Sequence, residues 1–138
     1  MTRRILVPVD GSTKAKRALE FAIDEFPNAE ITALHVVDPV EAIYGAEYVS
    51  ESVLEAQAER AEQLLEEMAE LATTHDAEIE TELRNGNPSR EIIAAAEEDE
   101  YDQIIVGSHG RTGLSRIVLG SVAENIVRRA PVPVTVVR

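Results

Sequence analysis

Short runs of Val, Ile and Leu alternate along the chain with stretches whose apolar residues recur every three or four positions. This is the pattern of βα units, in which strands buried on both faces read as continuous apolar runs and each helix buries one stripe. Arg4 to Val9 predicts the first strand. Asp10-Gly11-Ser12 follows as a turn, with Ser12 or Thr13 placed to cap a helix that reaches about Phe26 and is broken by Pro27 and Asn28. The second strand covers Glu30 to Val37 and ends at Asp38-Pro39, since the ring cannot donate to a ladder and pushes its predecessor toward extended geometry. Residues 40–49 read as an irregular connection. From Ser50 to about His75, the spacing of Leu54, Ala58, Ala61, Leu65, Met68 and Ala72 predicts the longest helix. A third strand, Ala77 to Leu83, alternates apolar and charged residues and so belongs at an edge of the sheet. In Asn85-Gly86-Asn87-Pro88 a turn passes into a helix capped by Asn87 and running to about Asp99. Gln103 to Val106, a helix over Val122 to Arg129, and Val132 to Val137 complete five strands of a mainly parallel α/β sheet.

Composition narrows the function classes. The length of 138 residues suits one domain spanning 1–138, and no composition break suggests a second. Only 4% of residues are aromatic and none is Trp, so the core falls to Val, Ile, Leu and Ala. There is no cysteine, hence no disulfide, thiolate metal site or thiol nucleophile, and the cytoplasm is the expected location. No run of eighteen apolar residues occurs that would span a bilayer. With 26 acidic and 13 basic residues the formal net charge is -13, a field that repels nucleic acid and anionic membrane surfaces. The lysines are only Lys14 and Lys16, and acids gather on presumed helix faces such as Glu66, Glu67 and Glu70. Such acid-rich, lysine-poor surfaces suit halophilic proteins of a salt-rich cytoplasm. The melting temperature is accordingly expected to rise between low and molar KCl, and equal stability in both would remove the halophilic reading.

The segment Gly107-Ser108-His109-Gly110-Arg111-Thr112-Gly113, followed at Gly120-Ser121 by a helix, carries the candidate chemistry. Glycines after a buried strand let backbone N–H groups approach an anion, and the following helix adds partial positive charge. Arg111 and Arg116 supply cations that the chain otherwise has few of. On spacing alone, a phosphate cradle and a plain turn with Ser121 and Glu124 forming a capping box stand level. Neither G-x-G-x-x-G after the first strand nor a P-loop is present. His109 has no carboxylate partner in sequence, while His35 and His75 read as structural. The acids of Asp99-Glu100-Tyr101-Asp102 read as a solvated turn, because neighbouring positions do not converge on a metal.

Gly107-x2-Gly110-x9-Gly120-Ser121 resembles the nucleotide motif of the ATP-binding branch of universal stress proteins. The opening ILVPVDGS, LHVVD, GNPSREI, DQIIVGSHGRTG and the closing VPVTVVR resemble that family in order and spacing. The resemblance implies a three-layer, doubly wound, five-stranded parallel sheet of order 3-2-1-4-5, a Rossmann-like adenine-nucleotide-binding fold. It implies ATP as ligand, with Mg2+ carried on the phosphates. Val36 would offer backbone hydrogen bonds to adenine, Val9 and Asp10 would lie by base and ribose, Gly107 and Gly110 near ribose and phosphate, and Val106 and Arg111 would also belong to the nucleotide site. Gly120, Ser121 and Val122 would hold the outer phosphates. No catalytic residue and no protein metal site is implied. The expected function is a nucleotide-dependent regulator or stress-tolerance factor, with slow or no hydrolysis and a regulated protein partner that the sequence does not identify. A weak ATPase or phosphotransferase using His109 or Asp10, and a nucleotide-independent interaction module, are the alternatives. Pairing through the C-terminal strand implies a homodimer.

Overall fold

A computed structural model describes residues 2–38, 51–108 and 119–138. The 40–49 connection and residues 109–118 of the glycine-rich segment lie outside these. The chain runs β1 (Arg4–Pro8), α1 (Thr13–Glu25), β2 (Glu30–Val37), α2 (Glu51–Thr74), β3 (Glu80–Asn85), α3 (Pro88–Glu98), β4 (Gln103–Gly107), α4 (Ser121–Arg129) and β5 (Val134–Val137). The strands form one parallel sheet in the order β3-β2-β1-β4-β5.

The continuous apolar runs of β1 and β4 are explained by the two layers that cover them. Successive side chains of a strand point to opposite faces, so a central strand needs apolar residues at every position. Ile5, Val7 and Val9 face one layer with Ile105, Leu19 and Met68, under α1 and α2. Leu6, Leu34, Ile104 and Val106 face the other, where α3 and α4 bring Ile92, Ala95 and Ile126. Each such fully buried side chain contributes about 1.5–3 kcal/mol relative to exposure.

Several local signals act as read. Ser12 caps α1 by accepting from the Ala15 N–H at 3.2 Å, and Asn87 caps α3 by accepting from Arg90 at 3.1 Å. Two expectations shift. The third strand begins at Glu80, later than Ala77, because it takes its register from β2, with Thr32 opposite Glu80 and Val37 opposite Asn85; Ala77 and Ile79 instead pack onto the α1–α2 core layer. α4 is capped by the backbone of Gly120, so Ser121 is already its first helical residue and the Ser121–Glu124 capping box does not form. At the edge, the half-buried Arg84 pairs with Glu82 and Glu91 and with Glu98 and Asp99 at the far end of α3, fastening β3 to that helix.

His75, one residue past α2, bridges to α1. Its Nδ1 lies 3.0 Å from Asp24 and its Nε2 3.1 Å from Glu20. Carboxylates only accept, so the doubly protonated ring is the form that satisfies both contacts. The hydrogen bond to Asp24, followed by the charges of Asp24 and Glu20, raises its pKa above the ordinary histidine value. A raised folded-state pKa contributes stability that is complete below about pH 6.5 and is lost as pH climbs through the folded value. The melting temperature is therefore expected to fall between pH 6 and pH 8, and to fall less in His75→Gln. Identical slopes would show that the bridge contributes nothing.

Candidate functional site

β1 and β4 are neighbours, but the chain leaves β1 toward β2 and leaves β4 toward β5. A crevice therefore opens at their carboxyl ends, the topological switch point of an open α/β sheet. Here it measures about 720 Å³, within the roughly 300–1,000 Å³ of small-molecule sites. Its floor comes from β1 and β4 through Val9, Asp10, Val106 and Gly107; one end from β2 through Val36 to Asp38; the other from Gly120, Ser121 and Val122. Eight of the ten residues singled out in the sequence thus meet in one cavity, and the remaining two, Gly110 and Arg111, lie outside the described residues.

The floor is held rigidly. The Val9 N–H donates to Leu34 at 2.8 Å, and the His35 ring Nδ1 donates to the Val9 carbonyl at 2.8 Å, so both backbone groups of Val9 are occupied. Asp10 Oδ1 accepts from the Ser12 N–H at 2.9 Å, an Asx turn of the kind that short acidic side chains form with the residue two positions on. Gly11 between them has φ 83, the left-handed region that glycine enters without penalty. The carboxylate is thereby fixed at the crevice while the chain turns into α1.

Gly107 has a different explanation from the one its sequence context suggests. A Cβ built there would lie 2.8 Å from both the backbone carbon and the oxygen of Lys14. The residue is glycine because the first turn of α1 presses against the end of β4.

At the opposite end, the Gly120 N–H donates to the Ser108 carbonyl at 2.8 Å, joining the end of β4 to the start of α4. That amide is consequently engaged by the protein. The first bond within α4 runs from Glu124 N–H to Gly120, so the amides of Ser121, Val122 and Ala123 precede the helical ladder. No side chain caps this end. The helix start thus combines first-turn donors with the positive pole of the helix dipole.

β2 shapes the base of the cavity. In its ladder the Leu34 carbonyl faces β1, where it accepts from Val9, whereas the Val37 carbonyl faces β3 and accepts from Gly86. Alternation along the strand turns the backbone groups of Val36 to the β1 side as well, one step beyond the end of β1.

A profile of the Universal stress protein family matches residues 1–138. This chain belongs to that family. Among relatives of this universal stress protein, Universal stress protein MJ0531 of Methanocaldococcus jannaschii is 38% identical over 99% of the chain and 82% of its own length. The solved structure of universal stress protein UspA from Lactobacillus plantarum superposes with a TM-score of 0.78 at 30% identity, covering 99% of this chain and 97% of that one. A universal stress protein solved in complex with cAMP superposes with a TM-score of 0.74 at 25% identity, covering 99% and 97%.

Sequence reasoning missed a further wall of the crevice, formed by Gln57, Arg60, Gln63 and Glu67 of α2. These residues occupy the border between the buried stripe and the solvent face, where polarity by itself looks like surface. The available signal was Arg60, the single basic residue of that helix.

Proposed function

We propose that this universal stress protein binds ATP in the crevice between β1 and β4 and acts as a nucleotide-dependent regulator that hydrolyses its ligand slowly or not at all. The observation that carries this reading is the start of α4: a helix end without a side-chain cap, whose first residues line a cavity floored by Asp10. The relative solved with cAMP supports an adenine nucleotide as the ligand class. In this reading Val36 offers its backbone to adenine, and Val9 and Asp10 lie beside base and ribose. Val106 and Gly107 line the floor and Ser121 and Val122 hold the outer phosphates, while Gly110 and Arg111 lie outside the described residues. Among the described residues no group of three His, Cys, Asp or Glu side chains is placed to hold a metal ion. In this reading magnesium comes to the site on the triphosphate, whose charge it offsets.

Slow turnover is expected because the sequence carries no P-loop lysine, a usual part of efficient phosphoryl transfer. Isothermal titration with Mg-ATP tests the reading: heat at micromolar to millimolar ligand is expected, and neither heat nor a thermal shift at millimolar ATP would defeat it.

The same reading includes a homodimer. β5 lies at a sheet edge with its four residues half-buried, and an edge strand presents unpaired backbone groups to a partner. Antiparallel pairing of two copies of Val134–Val137 would use them. Sedimentation should then report twice the 15.1 kDa of one chain.

A further inference from the structure

At 24 residues, α2 is about 36 Å long, whereas the eight residues of β2 span about 26 Å. The helix runs back from the carboxyl end of the sheet, so its first turns overhang that end. No residue of α2 before Ala61 is buried, and Gln57 and Arg60 stand where the overhang meets the crevice.

Arg60 is placed unlike the other charges of this helix. Glu55, Glu59, Glu62 and Glu66 succeed one another around its outer face, but the positions three and four residues from Arg60 are Ala56, Gln57, Gln63 and Leu64. No acid stands where a helical ion pair would form. Among the described residues Arg60 is the crevice's basic side chain, and no ion pair engages it. In a chain with twice as many acids as bases, a cation at a cavity lip with no ion pair is available to a ligand.

The fold decides which part of a nucleotide it meets. α2 shares its core layer with α1, whereas α4 packs on the other face of the sheet. The overhang of α2 therefore lies beside the end of β2, where Val36 turns its backbone to the cavity, and away from the anion-binding start of α4. A guanidinium is planar and stacks on aromatic rings and nucleobases, which an ammonium does not do. We propose that Arg60 closes the base end of the crevice by laying its guanidinium plane on the adenine ring, so that α2 holds the base and α4 holds the phosphates. This rests on the nucleotide reading above and adds to it a base-holding residue.

Adenosine and Mg-ATP titrated against the wild type, Arg60→Ala and Arg60→Lys test the assignment. Arg60→Ala is expected to weaken both ligands by the same factor, roughly 3- to 30-fold. Arg60→Lys should lose most of the same factor, because it keeps the charge and discards the plane. Arg60 is exposed, so melting temperatures should stay within a few degrees and exclude misfolding as the cause. Weakening confined to Mg-ATP would place Arg60 on the phosphates and overturn the proposal. Wild-type binding that survives intact in Arg60→Ala would sink this inference alone, whereas a wild type that binds neither ligand would take the nucleotide reading down with it.

Discussion

Replacing Gly107 by alanine is expected to lower the melting temperature by about 3–10 °C, the effect of about 1–3 kcal/mol of overpacking in a domain of this size. The added methyl would stand 2.8 Å from the Lys14 backbone carbon and oxygen. A flexible side-chain end could swing aside, but these atoms belong to the first turn of α1. That turn is held by the Ser12 cap and by the Asp10–Ser12 hydrogen bond, so relieving the contact must move the segment that fixes the Asp10 carboxylate. The variant should consequently lose nucleotide affinity along with stability. Adding Lys14→Ala should not restore the melting temperature, because the closest atoms are backbone and survive that substitution. A Gly107→Ala protein that melts with the wild type would show that α1 and β4 have slack here, and Gly107 would revert to being a turn glycine.

Gly107 also marks the limit of what the sequence makes legible. The strands were readable because burial on two faces forces an unbroken apolar run, and Ile5-Leu6-Val7 and Ile104-Ile105 are fully buried. The caps at Ser12 and Asn87 were readable because a cap is made within three residues of its partner. The reason for Gly107 lies 93 positions away at Lys14, and nothing local announces it. β3 was placed too early for a related reason: Ile79 is apolar and β-branched, but the strand starts where β2 offers a ladder, opposite Thr32. Ser121 and Glu124 have the spacing of a capping box, yet the tie from Gly120 to Ser108 sets the helix start one residue earlier, and Ser121 passes from cap to first helical position. The crevice itself could be anticipated from strand order once Asp10 and Gly107 were assigned to strand ends. The contribution of α2 could not, since Arg60 becomes a lining residue only when the helix overhangs the sheet.

Ser121→Glu should separate binding from stability, with opposite signs. Ser121 is exposed and is the first residue of α4, where a carboxylate meets the positive pole of the helix. Acidic residues in a first turn stabilise a helix by about 0.3–1 kcal/mol, so the melting temperature should hold or rise by about 1–3 °C. If the same amides receive the outer phosphates, the new carboxylate occupies their place and repels them. Two like charges about 4 Å apart near a protein surface interact by up to about 4 kcal/mol, and a loss of at least about tenfold in Mg-ATP affinity is expected even after screening. Adenosine, which carries no phosphate, should bind as it does to the wild type. That combination distinguishes an anion cradle from a plain turn: a structural role for Ser121 would move stability and binding together, and damage to the base end would spare neither ligand. Unchanged Mg-ATP affinity in a well-folded Ser121→Glu protein would mean that the start of α4 does not face the phosphates, and the crevice would have to be assigned to a different ligand.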